Sequence, residues 1–320
     1  MQAAIRLVRG AVSTKDLIPV LTHFHIYNGR IQGANGRVAI DTALPGVKSA
    51  ALDITVPAER FLRAVDACDG APTLTLISDS KLRVKRGGFT ALLPLADHAS
   101  YPREEKTGEA VQLTSTILPI LRCLRAFISD DASRPWSMGI FFKNGYAYAT
   151  NNAVMVRAPA PWAALQGVNL PVYAVDELLR INCEPTALYQ SANSLVFEWS
   201  DAWLKAQVLT GAWPDVAARF DGLDTGAPID AALLAAITTV LPFCLNPKFP
   251  VIIFSATGIS TEDGDCAAAV DVAGLPAGRF RAEVLQAVLQ IAETANFAAY
   301  PAPIGFSGDG VVGMFVGMRG

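Results

Sequence analysis

The chain has 320 residues, of which 52% are hydrophobic and 17% charged, with a net charge of −3. That length suggests two or three domains, and the composition excludes a disordered chain. No apolar run approaches the roughly 18 residues of a membrane span, and the N-terminus lacks the apolar block of a signal peptide, so no membrane partner is expected. The five cysteines are scattered without a Cys-x-x-Cys pair, which reads as reduced thiols in a cytoplasmic protein. Charge is unevenly spread: residues 1–107 carry net +4, residues 108–217 net −2 and residues 218–320 net −5.

In chain order, Ile5, Val8 and Val12 predict a short amphipathic helix with Arg6 and Arg9 on its far side. The stretch from Thr22 to Asp41 then reads as strands turning at Asn28-Gly29. "ITVPAERFLRAV" (54–65) predicts a strand running into a second helix, and a hairpin follows around Ser78-Asp79-Ser80. The passage then repeats. At an offset of 116 residues, eight identities fall in the 36 pairs from Ile5 to Ile40, among them Arg6/Arg122, Arg9/Arg125, Asn28/Asn144 and Asn35/Asn151. Ordinary residue usage gives roughly two. In the second copy Ile117, Ile120, Leu121, Leu124, Phe127 and Ile128 form the helix stripe, with Thr114 or Ser115 as its cap. "MGIFFKNGYAYATNN" is the hairpin, and "LPVYAVDELLRI" (170–181) the second strand and helix. The remainder follows the same plan: "PIDAALLAAITTVLPF" as helix, "FPVIIFSATGISTED" as hairpin, "LPAGRFRAEVLQAVLQIAET" as strand and helix, and "PIGFSGDGVVGMFVGMRG" as the last strands. The expected fold is α+β: three similar domains, 1–107, 108–217 and 218–320, each with two helices packed on antiparallel sheets.

In order and spacing these motifs resemble the bacterial DNA polymerase III beta subunit, the DNA sliding clamp, as a divergent or phage-encoded member. "LIPVL" (17–21) is similar to the family's first helix-to-strand corner, "ITVPAERFL" to its Val-Pro-Ala junction and "GAWPDV" (211–216) to its Phe-Pro-Asp ending. "YATNNAVMV" stands where the family has Thr-Asp-Gly-His-Arg-Leu, and "MFVGMRG" matches its tail. The resemblance implies a head-to-tail homodimeric ring that encircles double-stranded DNA without reading sequence. It also implies that the ring tethers the polymerase and is opened by a clamp loader, both held through short peptides. No cofactor is expected.

Such a ring should hold DNA through phosphate contacts. The candidates are Arg6, Arg9, Lys15, Arg60, Arg63, Arg122, Arg125, Arg180 and Arg281, although any one arginine on an exposed helix also reads as simple solvation. The first helix of the third copy has no Lys or Arg between Pro228 and Cys244 and should contribute little. By position, the family's peptide pocket falls on Thr150, Met155, Phe249, Val316, Met318 and Arg319. Its His-Arg is here Ala153-Val154, its tail proline Gly317 and its final leucine Gly320. For the subunit interface, Lys81, Arg83 and Lys85 on one strand face are expected to meet Glu262, Asp263 and Asp265 of a second copy. Met1-Gln2 leaves no room for the strand that opens the family's first domain, so one sheet edge there is expected to be missing or differently covered.

An enzyme is not expected. His23 and His25 share a strand face without an evident third ligand, "TEDGDC" (261–266) lacks a closing calcium loop, and "GDGVVGMFVG" is followed by no helix. No phosphate-binding loop or serine-nucleophile motif occurs. The alternative to a DNA clamp is the same fold used as a protein-interaction scaffold.

Overall fold

The computed structural model describes residues 1–320 except 16, 47–51, 161, 163–164, 245–249, 271–274 and 319–320. The first stretch contains α1 (Gln2–Arg9), β1 (His23–Tyr27), β2 (Arg30–Ala34), β3 (Val38–Ala43), β4 (Asp53–Pro57), α2 (Ala58–Asp66), β5 (Thr73–Ser78), β6 (Lys81–Arg86) and β7 (Phe89–Pro94). The second contains β8 (Glu109–Val111), α3 (Leu118–Arg125), β9 (Gly139–Lys143), β10 (Tyr146–Thr150), β11 (Val154–Pro159), β12 (Val168–Pro171), α4 (Val172–Ile181), β13 (Ala187–Gln190), β14 (Ser194–Glu198) and β15 (Ala202–Gln207). The third contains β16 (Ala227–Pro228), α5 (Ala231–Val240), β17 (Val251–Ser255), β18 (Gly258–Thr261), β19 (Ala267–Ala269), β20 (Gly278–Arg281), α6 (Ala282–Leu289), β21 (Thr294–Ala295), β22 (Ile304–Gly308) and β23 (Val311–Phe315).

The repeat is literal: α1, β1, β2 and β3 recur as α3, β9, β10 and β11 with both ends displaced by 116 residues. Local chemistry explains the shared residues. Asn28-Gly29 and Asn144-Gly145 all have positive φ, as a two-residue hairpin turn requires. The Asn35 side chain accepts the backbone N–H groups of Arg37 and Val38, and Asn151 does the same for Ala153 and Val154. The helix stripes are buried as expected at Ile5, Val8, Ile117, Leu121, Leu124 and Phe127. The N-cap position of α3 is Ile117, whose side chain makes no cap bond.

The chain divides into two compact units, residues 1–116 with 173–208 and residues 117–172 with 209–320. The first unit holds an antiparallel sheet of order β4-β1-β2-β3-β15-β14-β13-β8 and a three-stranded sheet β5-β6-β7. The second holds β12-β9-β10-β11-β23-β22-β21-β16 and a four-stranded sheet β19-β18-β17-β20. Each eight-stranded sheet thus joins strands of two successive repeats, through Leu204↔Ile40 in one and Val154↔Phe315 in the other.

In the first unit a strap from Tyr101 to Lys106 crosses the sheet. The Gln32 amide pairs with the Glu104 backbone in both directions, at 2.9 and 2.8 Å. Lys205 reaches the Glu104 carboxylate at 2.8 Å, and Lys106 reaches Glu198 at 2.8 Å. Beneath lies a buried polar group. Asp41, fully buried, accepts hydrogen bonds from Tyr27 Oη, Arg30 Nε and Gln32 Nε2. Burial first, and then this carboxylate, push the Tyr27 phenol up to about 12.

His25 stacks on Tyr27, packs against the tilted Tyr101 ring and bonds Asp53 through Nε2 at 2.6 Å, while its buried Nδ1 has no partner among the described residues. His23 is engaged separately, at the Pro19 carbonyl. Burial outweighs Asp53 and lowers the His25 pKa below its ordinary 6.5. The neutral ring therefore stabilises the fold above pH 6.5, and that stability is lost as pH falls through 6.5 towards the folded value. His25→Phe, which installs the residue the second repeat has at Phe141, should flatten the dependence. From pH 7 to 5 the melting temperature of the native protein should fall more steeply than that of the variant. Parallel curves would exclude His25 as the titrating group. Among the described residues no helix is long and apolar enough to cross a membrane.

Candidate functional site

The helix arginines fall into distinct environments. On α1, Arg6 pairs with Asp66 at 3.1 Å and Arg9 with Glu59 at 3.3 Å, both with well-exposed side chains. On α2, Arg63 shares Glu59 at 3.5 Å and Arg60 is exposed. Exposed pairs of this kind contribute about 0–1 kcal/mol, so a phosphate can replace the carboxylate at small cost. Lys15 is exposed in the loop after α1, its backbone held by Ser13 Oγ. Arg122 and Arg125 stand in the last turn of α3, a helix without acidic residues, where cations favour the helix dipole.

Arg180 is differently employed. It pairs with Glu177 at 2.7 Å and donates to the Arg6 and Leu7 carbonyls at 3.3 and 2.6 Å, closing the C-terminal end of α1. Arg281 sits at the N-cap of α6 and pairs with Glu283 at 3.1 Å. Helix α5 carries no charged residue at all. The helix arginines not spent on backbone carbonyls or a helix N-cap thus stand on α1 and α2 in the first unit and on α3 in the second.

Of the residues expected in a peptide pocket, Thr150, Met155 and Val316 lie where β11 joins β23. Met155 lies opposite Met314 and Val154 opposite Phe315, and the Val316 N–H donates to the Ala153 carbonyl at 3.0 Å. Thr150 is buried and spends its hydroxyl on the Val154 carbonyl at 2.7 Å, so it shapes the corner rather than facing outward. Val316 is 45% exposed. Met318 is tied to Arg279 by its N–H and to the Tyr300 hydroxyl by its carbonyl. Gly317 has a physical reason: a Cβ there would lie 2.5 Å from the Tyr300 ring. Phe249 and Arg319 lie outside the described residues. Met314 is not among the expected residues, although the alternation in "GMFVGM" puts it on the same strand face as Val316.

Of the interface candidates, Lys81, Arg83 and Lys85 alternate on β6, the middle strand of its sheet, facing Pro94, Leu92 and Thr90 on β7. In the acidic turn Glu262 is paired with Arg279, and Asp265 is exposed. Asp263 accepts from the Thr261 hydroxyl and the Asp265 N–H, which hold its carboxyl below the usual carboxylate range.

No protein-family model matches the chain, and no curated protein matches its sequence. Solved structures do match. The beta sliding clamp of Caulobacter crescentus is similar with a TM-score of 0.82 at 22% identity, covering 100% of this chain and 96% of that one. The DNA polymerase sliding clamp of Bacillus subtilis is similar at 0.81 and 16% identity, covering 100% and 97%. The Helicobacter pylori beta clamp, solved bound to a DNA ligase peptide, is similar at 0.76 and 12% identity, covering 99% and 97%. Over its full length, this chain has the fold of the bacterial DNA polymerase III beta sliding clamps.

Proposed function

We propose that this protein is a DNA sliding clamp, a processivity factor that encircles duplex DNA and tethers a DNA polymerase. One observation carries the reading: strands are shared between successive repeats. The third strand of repeat one pairs with repeat two (β3 with β15), and that of repeat two with repeat three (β11 with β23). The series leaves β19 of repeat three and β7 of repeat one as sheet edges among the described residues. By the same rule, β19 of one copy joins β7 of the next, and two copies of three domains (1–107, 108–217 and 218–320) close head-to-tail. The exposed Leu92 on β7 and the charge contrast between the ends favour that junction. The arginines of α1 to α3, with Lys15, then supply phosphate contacts without base readout.

The test is topological. With a clamp loader, the protein should stay on nicked circular DNA through a gel-filtration column and be released when the circle is cut, and light scattering should give twice the 33.9 kDa chain mass. A dimer that is never retained would leave the scaffold reading in its place.

The strip formed by Met155, Met314, Val316 and Met318 is the proposed site for polymerase and loader peptides, since flexible methionines suit an adaptable groove. Val316→Glu should weaken a polymerase C-terminal peptide at least tenfold by fluorescence anisotropy without lowering the melting temperature. Equal affinity would move the peptide site elsewhere.

A further inference from the structure

Two of the free cysteines, Cys244 and Cys266, converge on one end of the sheet β19-β18-β17-β20. Cys266 closes the acidic turn between β18 and β19. Its carbonyl accepts the Thr261 N–H at 2.9 Å, and its own N–H donates to the Thr261 hydroxyl at 3.2 Å. It therefore continues the β18–β19 ladder one step beyond Ser260↔Ala267. Residues directly opposite in a ladder share a face. Thr261 is buried, and α5 packs over β18 and β19, so the Cys266 side chain is turned towards the helix layer.

Cys244 reaches the same place from that helix layer. It follows α5 and a short turn of helix, Leu241–Phe243, and its thiol donates to the Val251 carbonyl at 3.5 Å. Val251 opens β17 beside Ile252, which lies opposite Thr261. Between the strand end that Cys244 caps and the ladder position of Cys266 there is only β18. The two groups are within electrostatic reach: burial first, and then Asp263 and Cys266, push the Cys244 thiol up. Both residues are half-buried, so a small reagent can reach them. The other thiols of the second unit and the buried one of the first are engaged elsewhere, Cys123 with Asp309 and Cys68 with the Ala64 carbonyl.

We propose that Cys244 and Cys266 form a reversible disulfide, a redox modification site that fastens the β18–β19 turn to the end of α5. The oxidant is a low-molecular-weight disulfide. The Cys266 thiolate attacks one of its sulfurs and expels a thiolate, leaving a mixed disulfide on Cys266. The Cys244 thiolate then attacks the Cys266 sulfur and expels the second thiolate. The two thiol protons of the protein pass to the two leaving groups, so the protein is oxidised by two electrons and the reagent is reduced by two. Cys266 attacks first because Cys244 is the thiol held protonated by its surroundings. The bond closes a loop over residues 244–266, and it fixes the turn that carries Glu262, Asp263 and Asp265. This inference stands on the second unit alone and does not rest on the DNA-encircling reading.

The test uses the full native chain in buffers of increasing oxidised to reduced glutathione, quenched with iodoacetamide and digested for mass spectrometry. One cross-linked peptide pair, joining 244 to 266, should accumulate, with the intact chain lighter by two hydrogens, and dithiothreitol should reverse it. The exposed Cys183 should carry only glutathione. Cys244→Ser should trap glutathione on Cys266, and Cys266→Ser should remove the cross-link. Melting curves of both variants in reductant should match the native chain, since serine keeps the shape of the side chain. The proposal is overturned if no 244–266 pair forms at any glutathione ratio, or if it forms only in denaturant. Cross-links of Cys244 to the other three cysteines in equal yield would overturn it too, as would a bond that joins two chains on a non-reducing gel.

Discussion

Asp41→Ala should lower the stability of the first unit by about 3–5 kcal/mol, because it removes one member of a buried, hydrogen-bonded charge pair. The carboxylate is fully buried and serves three donors, Tyr27 Oη, Arg30 Nε and Gln32 Nε2. Without it the phenol and the amide lose an acceptor inside the fold, and Arg30, whose side chain is about one-third exposed, must turn towards water. The damage should spread along the strap, since Gln32 also holds the Glu104 backbone. A thermal melt should shift by on the order of 10 °C, and protease sensitivity should rise between Tyr101 and Lys106. Asp41→Asn keeps the shape and part of the hydrogen bonding and should fall between. Asp53→Ala, at a mostly exposed carboxylate, should cost under about 1 kcal/mol. Equal effects at Asp41 and Asp53 would contradict the picture of a buried anchor.

The second large effect concerns DNA. Replacing Arg6, Arg9, Arg122 and Arg125 together by alanine should reduce the slope of log affinity against log salt by about 3 to 4, roughly 0.9 per lost phosphate contact. Arg180→Ala and Arg281→Ala should change that slope by less than one. Arg180→Ala should instead cost stability, because its guanidinium serves two carbonyls at the end of α1. The measurement is anisotropy of a labelled duplex between 50 and 200 mM salt, beside melting curves of each variant. An unchanged slope in the quadruple variant would reduce these arginines to helix-end charges.

Elements were legible in the sequence where the determining chemistry is local. The Asn-Gly turns, the Asn35 and Asn151 corners and the helix stripes depend on neighbours a few residues away, and the structure has them at the expected positions. The alternation of Lys81, Arg83 and Lys85 on one strand was equally readable. The pairing of β3 with β15 was not, because the partners lie more than 150 residues apart and no local pattern names them. Arg180 shows the same limit within the candidate site. Helical spacing puts it on the exposed face, but only the fold brings the end of α1 beneath it. Thr150 was expected in a peptide pocket only through the family resemblance, and its inward hydroxyl depends on the geometry of the corner.

The interleaving of the two units bears on how a ribosome delivers this molecule. Residues 1–116 cannot complete their large sheet until residues 173–208 have emerged, and the intervening segment 117–172 belongs to a different unit that awaits 209–320. At roughly 5–20 residues per second, half-finished edges stay uncovered for several seconds. A nascent chain stopped near residue 210 would carry one finished unit and a stranded quartet, β9 to β12, with its joining edge at β11 open. Such an intermediate is a natural client for a holding chaperone, and synonymous codon choices that alter pausing in this region would change the yield of native protein without altering a single side chain.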